Sequence, residues 1–254
     1  NLVDFLTHPV WLARLLSHGI PVMENLREMS QAQRPLAMAN EIASTVGKGY
    51  DAGFDWGRLK QVRDRWPGRL IVKGVARGDD AQALVGLGVD ALVVSNHGGR
   101  QLDGIISPLE AIPEIRAATG RDFMVMADGG FRRGADIIKA VALGADMCNA
   151  ARAMLFAIGC IQALRCHQNT CPTGVTTHNP RLQRGLVVEE KFIRVANYAI
   201  NMNKEIDMIA HSCGCRHARE LRREHVRIVQ TAGQSIALNV LYPYPDPSTR
   251  LKSA

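Results

Sequence analysis

Residues 70–104 contain a strand, a helix and a second strand in about the shortest length that a parallel crossover allows. Two apolar runs rich in valine, Leu70–Val75 and Ala91–Ser95, each lead into polar or glycine residues. Between them, Asp79–Gly88 opens with acidic residues and closes with glycine, which is typical of a helix. Parallel strands need a connection of a dozen or more residues. The stretch therefore predicts an α/β fold with a parallel sheet.

Side chains suited to acid–base chemistry lie at the ends of these two strands. In parallel α/β folds the active site forms at the carboxyl ends of the strands. The two glycines after His97 let a planar ligand approach it closely, and Arg100 offers two parallel N–H donors to a carboxylate. We predict that His97 abstracts a proton, Arg100 binds the substrate and Lys73 stabilises negative charge. A solvated loop is the alternative.

A third apolar run, Phe123–Ala127, ends in the glycine-rich turn Asp128–Gly134, which opens into a predicted helix over Ala135–Leu143. Backbone N–H groups and the helix dipole favour an anion at such a turn, and Arg132 adds a guanidinium. We predict a phosphate-binding site. The alternative is a tight strand–helix turn that needs glycine for its geometry alone.

The segments KGV, SNHGGRQLDG and DGGFRRGADIIKAVALGA resemble the FMN-dependent 2-hydroxy acid dehydrogenases, which oxidise lactate, mandelate and glycolate, over residues 1–146. The resemblance implies a (β/α)8 TIM barrel with FMN as cofactor, and His97 and Arg100 as catalytic and substrate-binding residues. In that family a Gly-Arg pair completes the phosphate site, and here Ala151 replaces the glycine while Arg152 is kept. The implied cofactor-binding residues are Lys73, Ser95, Asp128, Gly129, Gly130, Arg132, Ala151 and Arg152.

Six cysteines without a secretion signal favour reduced thiols or metal ligation over disulfides. Cys160, Cys166 and Cys171 are closely spaced, with a proline after the last, which is a pattern seen among iron–sulfur ligands. Three buried thiols, or a zinc site that uses His167 or His178, are the alternatives. Cys148 is predicted to lie in the core. Free thiols are predicted for Cys213 and Cys215.

The sequence LGADMCNAARAMLFAIGCIQALRCHQNTCPTGVTTHNP resembles the FMN-binding glutamate synthases, and that resemblance extends over residues 140–228. It implies that Cys160, Cys166 and Cys171 bind a [3Fe-4S] cluster beside the flavin. The chain therefore resembles a hybrid of two related flavin barrels, with the change near residue 146.

A complete barrel needs eight strands, and only four apolar runs of strand character are present, starting near Leu70, Ala91, Phe123 and Ala145. They correspond to strands five to eight of the family barrel. We predict three regions: a half barrel over residues 1–159, a cysteine-rich loop over 160–180, and a helical extension with a proline-rich tail over 181–254. Activity of the chain alone is doubtful on this count, because the family's early strands have no counterpart.

Further elements follow from capping residues and apolar periodicity. Helices are predicted over Asp55–Trp66 with Asp55 as N-cap, over Ser107–Thr119 with Ser107 as N-cap, and over residues 186–211. Glu220–His225 is predicted to be a short surface helix, and the tail from Tyr242 to be extended or disordered.

Charge and apolar content limit the partners of the chain. Its net charge is +7, but aromatic residues make up only 5% and no basic cluster interleaves with them, so nucleic acid is not a predicted partner. No apolar run is long enough to span a bilayer. The helical pattern around Trp11 and Leu16 predicts a covered helix, with peripheral membrane contact as the alternative. We predict a cytoplasmic protein, or one on the cytoplasmic face of a membrane, that forms a homo-oligomer or pairs with a missing N-terminal half.

Three functions are compatible with these features. The first is oxidation of an L-2-hydroxy acid of the lactate or mandelate class with FMN. The second is a glutamate synthase-type domain with FMN and an iron–sulfur cluster. The third is an inactive fragment or hybrid. The electron acceptor is not indicated.

Overall fold

The computed structural model describes residues 7–19, 37, 41 and 53–245, apart from the side chain of Ala232. By its contacts the chain divides into two compact units, residues 1–61 and 62–254. The division falls inside a helix and matches none of the predicted region boundaries, which stay predictions. Most of residues 20–52 and all of 246–254 lie outside the described residues. Among those described, no helix combines the length and apolar character needed to cross a bilayer.

The first unit contains helix α1, Pro9–His18. Pro9 occupies the first helical position, where its lack of an N–H costs nothing because that position has no acceptor within the helix. Gly19, at φ 78°, ends the helix, and its N–H donates to the Leu15 carbonyl. No residue of α1 is buried. Trp11 is 48% exposed and Leu16 is 78% exposed, whereas Leu12 and Leu15 of the apolar face predicted from the sequence are half-buried.

Helix α2, Trp56–Arg65, begins in the first unit and ends in the second. Asp55 precedes it, and a carboxylate oxygen of Asp55 accepts a hydrogen bond from the Arg58 N–H at 2.9 Å. This bond satisfies one of the free donors of the first turn, and the predicted N-cap is confirmed.

The second unit is built on a parallel sheet of four strands in the order in which they occur along the chain. All four predicted strands are confirmed, with ends shifted by one or two residues. The strands are β1 (Ile71–Val75), β2 (Ala91–Val94), β3 (Met124–Asp128) and β4 (Met147–Asn149).

Helices α3 (Gly78–Gly86), α4 (Pro108–Thr119) and α5 (Gly134–Leu143) connect successive strands. Ser107 caps α4 as predicted, since its hydroxyl accepts a hydrogen bond from the Glu110 N–H. Val125 and Ala127 of β3 are buried, whereas Met124, which points to the opposite face, is 41% exposed. The helices therefore cover one face of the sheet. The largest fully buried side chains lie there and in the C-terminal segment: Leu84, Leu92, Ile112, Ile115, Leu143, Leu238, Val94 and Val125.

The opposite face of the sheet is partly open. Ile71 is 51% exposed, Met124 41% and Met147 49%, and all three belong to this face by the alternation of side chains along a strand. A parallel sheet normally has both faces covered. This sheet therefore differs from the usual α/β domain, in which both faces of the parallel sheet are buried.

The C-terminal part contains α6 (Arg152–Ala157), α7 (Pro180–Gln183) and α8 (Val188–Ser212), and then β5 (Arg227–Val229), β6 (Ser235–Ala237) and α9 (Leu238–Leu241). Helix α8 confirms the predicted helix over 186–211. Its residue Ala210 packs with Ile138 of α5, and with Cys215 and Leu221 beyond it. The regions predicted as half barrel and extension therefore share a core.

The predicted surface helix over Glu220–His225 is wrong. Two short 3-10 turns, Ala218–Glu220 and Arg223–His225, occupy this segment, and Leu221 and Arg223 are buried. The sequence shows a charged run, but the Arg223 guanidinium donates to the carbonyls of Tyr242 and Pro243 at 2.7 and 2.8 Å. It also lies 4.5 Å from the centre of the Tyr244 ring. The tail is therefore packed as far as Tyr244.

Arg116 holds the edge of the sheet opposite to the strand ends that carry the predicted site. Its guanidinium donates to the carbonyls of Gly120, Phe123 and Gly144 at 2.7–2.8 Å and to the Asp146 carboxylate at 2.6 Å. Asp146 in turn accepts from the Val125 N–H at 2.8 Å. One side chain thus ties α4, the start of β3 and the segment before β4 together.

We expect Arg116→Ala to lower the free energy of unfolding by about 2–4 kcal/mol, because three carbonyls lose this donor and the partly buried Asp146 carboxylate loses its charged partner. Urea unfolding followed by circular dichroism measures this. Arg77→Ala is the matched control, since the Arg77–Asp79 pair is solvent-exposed, and its midpoint should stay close to that of the unmodified chain. Equal midpoints for the two variants would refute the role of Arg116.

Candidate functional site

The carboxyl ends of β1, β2 and β3 meet at one edge of the sheet and bring three predicted site residues together. Lys73 pairs with Val93 and Val93 with Met126 in the parallel register. Because side chains alternate between faces, Lys73, Ser95 and Asp128 all belong to the open face. Residues from three separate segments are therefore adjacent.

Lys73 is the centre of this group. Its ammonium nitrogen lies 2.6 Å from the Ser95 hydroxyl and 2.5 Å from a carboxylate oxygen of Asp128. The Ser95 hydroxyl also accepts a hydrogen bond from the His97 N–H at 3.1 Å. Ser95 is buried, Asp128 is half-buried and the Lys73 side chain is 50% exposed. The network fixes a positive charge at the edge of the open face and connects it to the turn that carries His97.

His97 begins a short 3-10 turn, His97–Gly99, that Asn96 stabilises. The Asn96 side-chain oxygen accepts from the Gly98 N–H at 2.9 Å, and the Asn96 carbonyl accepts from the Gly99 N–H. His97 has φ 52°, which is uncommon outside glycine and marks a conformation that its surroundings enforce. Sequence reasoning did not assign Asn96 a role, although it lies beside residues that were singled out.

The imidazole of His97 and the guanidinium of Arg100 are both exposed. The Arg100 N–H bonds to the His97 carbonyl, which closes the turn between them. Both side chains therefore belong to one short, hydrogen-bonded turn.

Arg152 reaches the same turn from the far edge of the sheet. A β-carbon added to Gly98 would lie 3.3 Å from the Arg152 guanidinium. Ala151 has φ −91°, so alanine fits without backbone strain at the position where the resemblance implies glycine. The segments after β2 and β4 thus approach each other with a cationic side chain between them.

The turn Gly129–Gly130 requires glycine for two different reasons. Both residues have positive φ, 107° and 82°. At Gly129 a β-carbon would also lie 3.2 Å from a side-chain carbon of Pro108, whereas at Gly130 it would meet nothing within 4 Å. The space above Gly130 is open, so a ligand is able to approach the backbone there.

The predicted use of the α5 N-terminus for an anion needs correction. The N–H groups of Arg132 and Arg133 bond to the Asp136 carboxylate at 3.1 and 3.2 Å, and the Gly134 N–H bonds to the Glu205 carboxylate at 2.9 Å. Two carboxylates of the chain itself occupy the donors and complement the dipole. An anion at this turn is left with the glycine backbone and the arginine side chains.

The structure does not bring Cys160, Cys166 and Cys171 together. Among the residues described, no three His, Cys, Asp or Glu side chains are placed to hold a metal ion. Cys160 follows the end of α6, Cys166 is exposed on a 3-10 turn and Cys171 is buried. The ligand set for a [3Fe-4S] cluster does not fit this arrangement, nor does the zinc alternative.

Each of the other cysteines is a free thiol, as predicted for Cys213 and Cys215. Cys148 is half-buried, so its predicted place in the core is only partly met, and desolvation by burial raises the pKa of its thiol to about 12. Cys171 differs, since hydrogen bonds from Thr173 and Thr176 lower the pKa of its thiol to about 6.

Comparison with known proteins identifies the class to which this fold and site belong. Residues 1–168 match the sequence model of the FMN-dependent dehydrogenases. The chain belongs to this family, and the resemblance to the 2-hydroxy acid dehydrogenases is confirmed. The family match extends to residue 168, beyond residue 146, where the resemblance was predicted to end. The resemblance of residues 140–228 to glutamate synthases stays a prediction.

Particular relatives are dehydrogenases of mandelate and lactate. The chain is 40% identical over 157 residues to (S)-mandelate dehydrogenase of Pseudomonas putida, covering 62% of this chain and 38% of that protein. It is 37% identical over 153 residues to L-lactate dehydrogenase of Actinobacillus pleuropneumoniae serotype 5b, covering 60% and 40%. The chain thus spans about two fifths of the length of these relatives.

Solved structures show the same relationship. The crystal structure of the monotopic membrane protein (S)-mandelate dehydrogenase matches with a TM-score of 0.59 and 30% identity, over 88% of this chain and 50% of that one. Mandelate oxidase with (S)-4-hydroxymandelic acid matches with a TM-score of 0.53 and 27% identity, over 74% and 43%.

We expect one cysteine to titrate near pH 6, and ultraviolet thiolate absorbance against pH measures it. Cys171→Ser should remove this step and Thr173→Val should move it to higher pH. Because the folded pKa is below that of an unperturbed thiol, about 8.5, the stabilisation that this thiolate gives is present at high pH and is lost as pH falls through about 6.

Cys148→Ser is the control for this titration, because its thiol stays protonated over the same range. A step near pH 6 that survives in Cys171→Ser would assign it to another group.

Proposed function

We propose that the chain carries the catalytic half of an FMN-dependent enzyme that oxidises an L-2-hydroxy acid of the lactate or mandelate class to the 2-oxo acid. The observation that carries the proposal is the convergence of the His97 turn, the Lys73–Ser95–Asp128 network and Arg152 at one sheet edge. The printed activities of the mandelate and lactate relatives support the substrate class.

In this proposal each exposed side chain of the turn has one role. The Arg100 guanidinium binds the substrate carboxylate through two parallel hydrogen bonds. His97 lies three residues before it and accepts a proton from the C2 hydroxyl or from the α-carbon. The strained backbone of His97, held through Ser95 and Asn96, keeps its imidazole in one orientation relative to Arg100.

The residues around Gly130 fit the phosphate of FMN. The space above Gly130 is open to a ligand. The guanidinium groups of Arg132 and Arg152 would supply positively charged hydrogen-bond donors for the phosphate. Asp128, Gly129 and Gly130 stand at the end of β3, and Ala151 follows the neighbouring strand β4. The Lys73 ammonium, hydrogen-bonded to Ser95, provides a positive charge beside Asp128. When bound, FMN would supply the two-electron acceptor for the oxidation.

Lys73 is suited to stabilise negative charge that develops during the oxidation. Its ammonium is already held in place by Ser95 and Asp128, so it needs no reorganisation. The Asp128 carboxylate partly neutralises the Lys73 ammonium, which lowers the affinity of the site for anions in general.

We further propose that residues 1–159 carry the second half of a (β/α)8 barrel, with its four strands between residues 71 and 149. Four parallel strands in sequence order, helices on one face and an exposed apolar opposite face support this. Four more strands, from another polypeptide segment or a second copy, would cover that face and complete the site. Residues 160–180 and 181–254 then form a loop and a helical extension.

The exposed apolar residues of α1, among them Trp11 and Leu16, support peripheral contact with the cytoplasmic face of a membrane. The monotopic relative supports the same location. The glutamate synthase-type function is less well supported, because the three thiols that it requires lie apart.

Arg132→Ala tests the phosphate site. We expect it to weaken FMN binding about 10- to 100-fold, because a charge-assisted hydrogen bond to the phosphate is lost, and to leave riboflavin binding unchanged, because riboflavin has no phosphate. Quenching of flavin fluorescence measures both affinities. Arg133→Ala is the matched control. An equal loss for both flavins, or none, would contradict the assignment.

His97→Gln tests the acid–base role. We expect the rate of lactate or mandelate oxidation with an artificial electron acceptor to fall about 10²- to 10⁴-fold while FMN remains bound. His167→Gln, which alters an exposed histidine on another loop, should keep full activity. Arg100→Lys should raise KM more than it lowers kcat, since one prong of the carboxylate contact is lost. Unchanged turnover in His97→Gln would exclude it as the base.

A further inference from the structure

Helix α8 contacts the turn before α5 with two side chains about two helical turns apart. The Tyr198 hydroxyl donates to the Arg132 carbonyl, and the Glu205 carboxylate accepts from the Gly134 N–H at 2.9 Å. Residues 188–212 lie beyond the part of the chain that matches the dehydrogenase family, residues 1–168. Nothing in the family match therefore assigns these two residues a role.

The contact between α8 and the turn is close. A β-carbon on Gly134 would lie 2.9 Å from the Ile206 nitrogen and 2.9 Å from the Met202 carbonyl oxygen. Gly134 and Met202 are both buried. The backbone of α8 thus lies directly against the first residue of α5, and neither element is able to shift without the other.

Arg132 receives its orientation from this contact. Its N–H donates to Asp136 at 3.1 Å and its carbonyl accepts from Tyr198, so side chains hold both of its backbone polar groups. The Arg132 side chain itself is exposed. The backbone from which this guanidinium extends is therefore fixed two residues after Gly130, where an added β-carbon would meet nothing within 4 Å.

We infer that α8 is the positioning element of the anion site, with Tyr198 and Glu205 as positioning residues that act through the backbone of Arg132 and Gly134. Neither contacts the ligand in this inference. Glu205 also satisfies the amino end of α5, so that an incoming phosphate is directed to the arginine side chains. The inference rests on the proposed FMN site, and it assigns a function to the C-terminal extension.

The affinities of the full chain for FMN and for riboflavin test the inference. Tyr198→Phe removes one hydroxyl, and we expect it to weaken FMN binding about two- to ten-fold with riboflavin binding unchanged. Glu205→Ala should have a similar effect. Glu205→Gln should restore FMN binding to near the original value, because its amide oxygen still accepts from Gly134.

Tyr244→Phe is the matched control. It also removes a tyrosine hydroxyl with hydrogen-bonding partners, at Glu224 and Arg223, but on a different part of the fold. Its FMN affinity should not change. A change in melting temperature shared by both tyrosine variants would then report stability alone.

Three results would overturn the inference. Equal losses of FMN and riboflavin binding in Tyr198→Phe would indicate a general structural role, and unchanged FMN binding in both Tyr198→Phe and Glu205→Ala would leave α8 without a role in the site. An unmodified chain that binds neither flavin would refute the proposed function together with this inference. If Tyr198→Phe does not fold, the Glu205→Ala and Glu205→Gln pair decides the question.

Discussion

The parallel register of β1, β2 and β3 is the constraint on which the site depends. Hydrogen bonds along these strands fix Lys73 opposite Val93 and Val93 opposite Met126. A shift of one residue would turn Lys73 to the helix-covered face and separate it from Ser95 and Asp128. The buried face opposes such a shift of β1, since Val75, which pairs with Val94 and is buried, would then leave the core. Packing on one face thereby holds the charged network on the other.

The charged groups at this edge are arranged so that few of them are left without a partner. Asp128 balances Lys73, while Asp136 and Glu205 occupy the donors at the amino end of α5. Anion binding at a helix amino terminus is common because free N–H groups and the dipole point at the ligand. Here the chain's own carboxylates take that place, while Arg132 follows the open glycine turn and Arg152 lies near Gly98.

The open face of the sheet is consistent with the chain spanning only part of the length of its relatives. A parallel sheet with helices on one side exposes Ile71, Met124 and Met147, and within the described part of the chain its outer strands β1 and β4 each pair on one side only. Relatives of known structure are about twice as long as the matched part of this chain. The site lies at an edge of this face, so whatever covers the apolar side chains also limits access of water to Lys73.

The sequence by itself determined the four strands, their connecting helices, the caps at Asp55 and Ser107, and the family. These depend on local patterns of apolar residues, glycines and capping side chains, which act over a few neighbouring positions. It also predicted that Lys73, His97 and Arg100 lie at the carboxyl edge of the sheet, because parallel strands place their carboxyl ends together. Tertiary structure alone decided the rest. The burial of Arg223, the separation of the three cysteines and the contacts of Tyr198 and Glu205 with the anion turn all join residues distant in sequence, and no local pattern encodes where a charged side chain will find its partner.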